Sequence, residues 1–165
     1  PMPYVELQRL LDEANAWGMH GYDKGAYLQD LSDEVIEVIT GHVPAKTSPM
    51  SVLLFYRLDG AYSRVSDEQT AFSGGRSPRY AAFIIGLAPD AGLLPAERRR
   101  VRGPWEALRP HTIDDGSAYV NGTSDYSGEG VRGSYGRAKY QRLTQIKAEY
   151  DPGNIFHLNT NVRPA

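Results

Sequence analysis

Few side chains in this 165-residue chain stand at spacings that imply chemistry, and the clearest are two amides near its end, Asn159 and Asn161, flanking Thr160. In an extended segment residues two apart point to the same side, so these amides could pair with one polar ligand. In a coil they would hydrogen-bond neighbouring backbone instead, and spacing alone leaves both readings open. Gly128, Gly130 and Gly133 satisfy G-x-G-x-x-G, the pattern that cradles dinucleotide phosphates at a helix N-terminus. The expected strand before it, residues 117–121, ends too early, and no second strand of a βαβ unit follows, so the match reads as a decoy within a Gly-rich loop at 122–133. His20, His42, His111 and His157 lie far apart and form no ligand-spaced cluster, so no metal site is expected. The adjacent carboxylates Asp67 and Glu68, and Asp114 and Asp115, diverge in either regular structure and suit turns and caps better than acid–base work. No G-x-S-x-G supports a serine nucleophile, and the absence of cysteine removes disulfides, thiolate metal sites and a thiol nucleophile. The glycosylation sequon at Asn121, Gly122 and Thr123 follows no secretory signal and reads as coincidence.

The elements that would position such residues follow from periodicity. Tyr140, Leu143, Ile146 and Tyr150 share one face of a C-terminal helix, with Arg142, Gln145 and Glu149 opposite. Pro152 disfavours helical backbone at Asp151, and Gly153 and Asn154 supply turn chemistry before the apolar anchors Ile155 and Phe156. At the other end, Leu7, Leu10, Leu11 and Ala14 predict a helix from residue 4 to about 14 with its leucine stripe in the core. The Gly-rich and aromatic stretch 18–27 reads as a loop able to line a pocket. Ser32 is a predicted N-cap for a helix carrying Val35, Val38 and Ile39, with Gly41 just past its end. Residues 51–58 predict a strand covered on both faces, turning at Asp59 and Gly60 into a hairpin with 61–65, and further strands are expected at 69–73 and 79–88. A helix from Pro95 carries Arg98, Arg99, Arg100 and Arg102 spread round its cylinder as a solvated face. Gly103 and Pro104 interrupt it, and Pro110 closes the element that resumes at Trp105. The whole predicts an α+β domain spanning 1–165: an antiparallel β-sheet with helices packed on it, then a C-terminal helix and extended tail.

Composition narrows the function class. A hydrophobic content of 41% is enough for one real core. A net charge of −2 gives no electrostatic footprint for nucleic acid or an anionic membrane. No apolar run approaches the ~20 residues of a membrane span, and no basic-then-apolar leader opens the sequence. The expectation is a soluble, cytoplasmic protein.

The tail carries a resemblance. Tyr135, Gly136, Arg142, Leu143, Lys147, Tyr150, Asp151, Pro152, Asn154, Phe156, Asn159, Asn161 and Val162 stand in the order found at the C-terminus of the berberine bridge enzyme-like FAD-linked oxidases. Upstream, Pro1 to Gln8, Leu31 to Glu34, Gly60 to Val65, Thr70 to Phe72, Trp105 to His111 and Ala118 to Asn121 resemble further segments of bacterial members. The resemblance implies the second half of such an oxidase, substrate domain plus a berberine-like segment at 134–165, with the N-terminal FAD-binding domain absent. It implies oxidation of a small organic substrate by hydride transfer to FAD while a base takes a proton. By position, Asn121, Asn159 and Asn161 would lie nearest the flavin, and Tyr119, Tyr22 and Tyr27 would line the substrate pocket. The chain would then work only with an FAD-binding domain supplied by another segment or chain. The alternative is a non-catalytic small-molecule-binding or homodimerisation module derived from the family.

Three departures from the family pattern bear on catalysis. Members often place a tyrosine base directly after the Asn of AYVN, where this chain has Gly122. Thr160 replaces an amide of N-Q-N, and Ser73, Gly74, Gly75 and Arg76 stand where His-Arg often follows TAF. The inserted glycines are expected to lower side-chain density where a site would be.

Overall fold

In a computed structural model of the protein, which describes residues 1–10, 12, 15–45, 48–113, 118–124 and 127–165, the centre is the strand the sequence marks most strongly. This strand, β3 (Arg79–Ala88), follows α1 (Tyr4–Gln8), β1 (His20–Leu28), α2 (Asp33–His42) and β2 (Val52–Leu58) along the chain. Both its neighbours run antiparallel to it, in the order β1-β3-β2, with Tyr27 opposite Ala81 and Phe55 opposite Ala82. After it come α3 (Leu94–Leu108), α4 (Gly128–Tyr135) and α5 (Arg137–Tyr150). The architecture is α+β, an antiparallel sheet with helices packed on it, as the periodicity predicts.

Alternation decides which side chains face the helices. Tyr22 and Leu28 of β1, Ala82 and Ile84 of β3, and Leu53 and Phe55 of β2 point to one face, where Val35 of α2 and Val101 and Leu108 of α3 close the core. Gly86 lets α3 approach: a Cβ there would stand 2.9 Å from Val101 Cγ2. Ser32 caps α2 as expected, its Oγ accepting from the Val35 N–H at 3.4 Å, but Gly41 lies inside the helix rather than beyond it.

Other expectations are corrected. Of residues 18–27 only Gly18 and Met19 lie outside a strand, because the apolar contacts of Tyr22, Tyr27 and Leu28 draw 20–27 into the sheet as β1. The first helix is short and buries nothing, with Leu7 and Leu10 exposed, so the leucine stripe is not core; Leu11 and Ala14 lie outside the described residues. No hairpin follows β2: Tyr62–Arg64 and Asp67–Gln69 are single 3₁₀ turns, the second closed by a capping box between Ser66 and Gln69. Residues 69–73 and 118–121 are not strands, and residue 117, like Asp114 and Asp115, lies outside the described residues. The helix of the arginines runs unbroken through Gly103 and Pro104. The missing Pro104 N–H costs one helical bond, and the turn beyond is held by the Trp105 Nε1–H on the Gly25 carbonyl at 3.1 Å and by fully buried Leu108. Gly128, Gly130 and Gly133 lie within α4, capped by Ser127, not in a loop.

The C-terminal helix forms where its periodicity places it and stops at Asp151. That carboxylate accepts from the backbone N–H groups of Ile155 at 2.7 Å and Phe156 at 3.0 Å, and from Lys147 Nζ. Lys147 Nζ also donates to the Phe156 carbonyl at 2.7 Å, closing the turn from both sides. Yet α5 buries no residue, and Tyr150, Ile155, Phe156 and Leu158 stay exposed. No helix among the described residues is long and apolar enough to cross a membrane.

Candidate functional site

The face of the sheet turned away from α2 and α3 carries an aromatic and amide cluster. Tyr62 and Phe72 meet edge to face with centroids 5.6 Å apart, and Phe72 stacks on Tyr119 at 5.6 Å and 23°. Asn121 Nδ2 donates to the Tyr119 hydroxyl at 2.8 Å. The Arg76 guanidinium lies 5.1 Å from the Tyr62 ring and 4.7 Å from the Phe72 ring. A two-way clamp straps residues 118–124 to β1: Ser124 Oγ donates to Asp23 Oδ1 at 2.6 Å and accepts from the Asp23 N–H at 3.1 Å.

Tyr27 lies beneath this cluster and is 1% exposed. Its hydroxyl has no hydrogen-bond partner among the described residues. Burial pushes its pKa well above the ordinary tyrosine range, Tyr62 and Tyr119 add to the shift, and Arg79 opposes it. Arg79 is itself buried, its guanidinium 5.4 Å from the Tyr27 ring and its Nε donating to the Ser77 carbonyl at 3.0 Å. Burial also raises the pKa of Tyr62, whose hydroxyl donates to the Gly75 carbonyl, and of Tyr135. These phenols are donors at neutral pH.

The glycines at the departures from the family pattern do not leave space. A Cβ on Gly122 would stand 2.1 Å from Phe83 Cε1, and one on Gly74, at φ +92°, would stand 2.3 Å from Tyr27 Cε2. The expectation of lowered side-chain density is therefore corrected, since rings of the sheet fill the volume.

The structure brings Tyr27, Tyr119 and Asn121 to one face. Tyr22 goes to the other, because it stands an odd number of positions along the strand from Tyr27 and an odd offset reverses the face. There its hydroxyl accepts from Arg102 Nε at 3.1 Å and its ring lies under Arg98. Asn159 has left-handed backbone at φ +57°, so the two tail amides do not sit side by side on an extended strand. Asn159 is exposed, whereas Asn161 Oδ1 is enclosed without a partner among the described residues. Asn161 lines a small cleft of about 260 Å³ with Arg132, Tyr140 and Arg163 at the start of α4, apart from Asn121. Phe83, Asp23, Ser124 and Arg79 were not legible as site residues. The only signal for Phe83 is alternation along β3, blurred because both faces of that strand are apolar. No metal-binding group of His, Asp and Glu occurs among the described residues.

Residues 118–163 match the family model described as "Berberine and berberine like". The chain is 25% identical over 164 residues to an FAD-linked oxidoreductase of Dictyostelium discoideum, covering 99% of this chain and 35% of that protein. It is 30% identical over 157 residues to YvdP, an uncharacterized FAD-linked oxidoreductase of Bacillus subtilis, covering 92% of this chain and 31% of the relative. In solved structures its fold is similar to that of GilR, an oxidoreductase that catalyzes the terminal step of gilvocarcin biosynthesis, seen in complex with pregilvocarcin. That match has a TM-score of 0.71 and 25% identity over 85% of this chain and 32% of the other. The chain thus spans about a third of the length of the curated relatives it matches. Signature and relatives agree: residues 118–163 carry the berberine-like segment, and the chain is similar along nearly its whole length to part of FAD-linked oxidoreductases.

Proposed function

We propose that the helix-free face of the sheet is one wall of a flavin and substrate site, completed by an FAD-binding domain carried on another segment or a separate chain. The observation that supports this best is the gathering of Tyr27, Tyr119 and Asn121 on that face, clamped to β1 through Asp23 and Ser124. FAD, when bound, supplies a two-electron acceptor for hydride leaving a small organic substrate. The residues present fit its ring better than its phosphates. The Phe72 and Tyr119 stack offers a flat surface, and the Asn121 amide beside it offers a polar group for the ring edge. The glycines that could have cradled a pyrophosphate are folded into α4, where Ser127 Oγ already accepts from the Gly130 N–H. Asn121, Asn159 and Asn161 would hold and orient the ring, and Tyr119 and Tyr27 would shape the substrate pocket. Tyr22 is left to the opposite face.

Proton abstraction falls to a group outside position 122, because Gly122 has no side-chain base and Phe83 fills its side-chain volume. In this reading the chain alone binds FAD negligibly. Equilibrium titration with FAD tests it, and tight, stoichiometric flavin binding by the isolated chain would overturn it. Gly122 also favours a second reading, a non-catalytic small-molecule-binding or dimerisation module derived from the family. A rise in melting temperature with a ligand on the helix-free face and no flavin supports that reading over the first.

A further inference from the structure

The arginine run of α3 divides between two destinations. Arg98 and Arg102, one turn apart, lie over the Tyr22 ring at 5.1 and 5.9 Å. Arg99 and Arg100 are rotated away from them and line a cleft of about 770 Å³ between α3, the end of α2 and the start of β2, on the face of the sheet opposite Asn121. Its walls are mainly apolar, with Val43, Met50, Leu53, Ile84 and Val101 among them. Its carboxylate, Glu97, is 4% exposed and accepts from Ser51 Oγ at 2.8 Å, while Ser51 Oγ accepts from the Leu87 N–H at 2.9 Å. That carboxyl group is thereby held at the sheet. Arg99 and Arg100 make no ion pair with any described residue.

We propose that this cleft binds an amphipathic organic acid, its apolar body between α3 and β2 and its carboxylate on Arg99 and Arg100. A concavity of this size, apolar with a few convergent polar groups, has the form of a small-molecule site. Guanidinium groups without a protein carboxylate match an incoming one. The site needs no flavin and stands or falls apart from the reading of the other face.

The test is calorimetric titration of the whole chain with decanoate, decanol and decyltrimethylammonium at submicellar concentration and low salt. Decanoate is expected to bind about tenfold or more tightly than the ammonium compound, which is the size of effect one desolvated ion pair supplies. That preference shrinks with added salt. The double variant R99E/R100E, at two α3 positions outside the buried core, reverses it. Gly103 also lines the cleft, and a Cβ there meets only His42 Cδ2 at 3.9 Å, so Gly103→Phe plugs the space and abolishes binding of all three probes. Circular dichroism on each variant confirms the fold. No decanoate binding, equal or preferred binding of the ammonium probe, a preference that survives R99E/R100E, or self-association that buries the cleft each overturns the proposal.

Discussion

The sheet core and the C-terminal arm invert the relation between recognisable sequence and packing. In the core, β1 reads as a loop in the sequence and yet contributes Leu28 at 0% exposure and Tyr27 at 1%. In the arm, α5 has the clearest periodicity and the family signature, forms as a helix, and buries no side chain. Its order comes from polar contacts rather than apolar burial: hydrogen bonds at Asp151 and Lys147 within the segment, and Lys139 Nζ reaching Asp67 Oδ1 at 3.0 Å and the Phe72 carbonyl at 2.6 Å. A signature can therefore preserve a surface whose contacts lie beyond the segment that carries it, whereas a core is preserved by volumes that many sequences can fill.

The contrast is broken or sharpened by substitution, beginning where the effect is greatest. Leu108→Ala empties a fully buried position and should cost about 2–5 kcal/mol in urea unfolding. A cost as low as that of an arm variant would mean that α3 is not docked on the sheet. Gly74→Ala forces a Cβ against the Tyr27 ring at an unfavourable positive φ, so a loss of roughly 1–3 kcal/mol is expected by the same measurement. Ser32→Ala removes the α2 cap and should cost about 1 kcal/mol, placing local helix chemistry below core packing. In the arm, Phe156→Ser should change the stability of the isolated chain by no more than about 0.5 kcal/mol, since the ring is 82% exposed; a larger loss would show that this ring is packed.

The last test uses pH. The hydrogen bond from Lys147, and then those from the Ile155 and Phe156 amides, hold the Asp151 carboxyl below the usual carboxylate range. A folded pKa lower than the unfolded value of about 3.9 means that the turn's stabilisation is full above that pH and is lost as pH falls through the folded pKa. Amide resonances of Ile155 and Phe156 should therefore change at a pH below that of an ordinary aspartate, while those of β3 stay in place. A midpoint at or above the ordinary value would contradict the geometry.

Where local chemistry decides the structure, it was legible. Ser32, the strand at 79–88 and the stop at Asp151 each follow from a cap, an apolar run or a proline, and each stands where it was expected. Where tertiary contact decides, it was not. Gly21 and Gly25 suggested a loop, but Gly25 pairs with Phe83 in β1 and is glycine because a Cβ there would stand 2.8 Å from the Gly122 carbonyl oxygen. Pro104 suggested a break, but its helix is anchored on both sides of it by Val101 and Leu108. The candidate residues were similarly divided. Tyr119 and Asn121, two apart in sequence, meet directly, whereas the placement of Tyr22 and Tyr27 on opposite faces required recognising β1 as a strand. The enclosed Asn161 depends on how the tail returns to α4, which no local pattern encodes.

The glycine at 122 limits which single substitutions the sheet can take. Phe83 occupies the space a side chain there would need, and the Gly122 carbonyl occupies the space a side chain at position 25 would need. The three positions are interlocked, so the worth of any residue at one depends on what stands at the other two. Placing a tyrosine at 122 by itself would strike the Phe83 ring and destabilise the sheet. Accommodating it requires Phe83 to shrink in the same step or earlier, and a smaller residue there while 122 is still glycine leaves a cavity. Each single step is costly, so the two positions tolerate change only together.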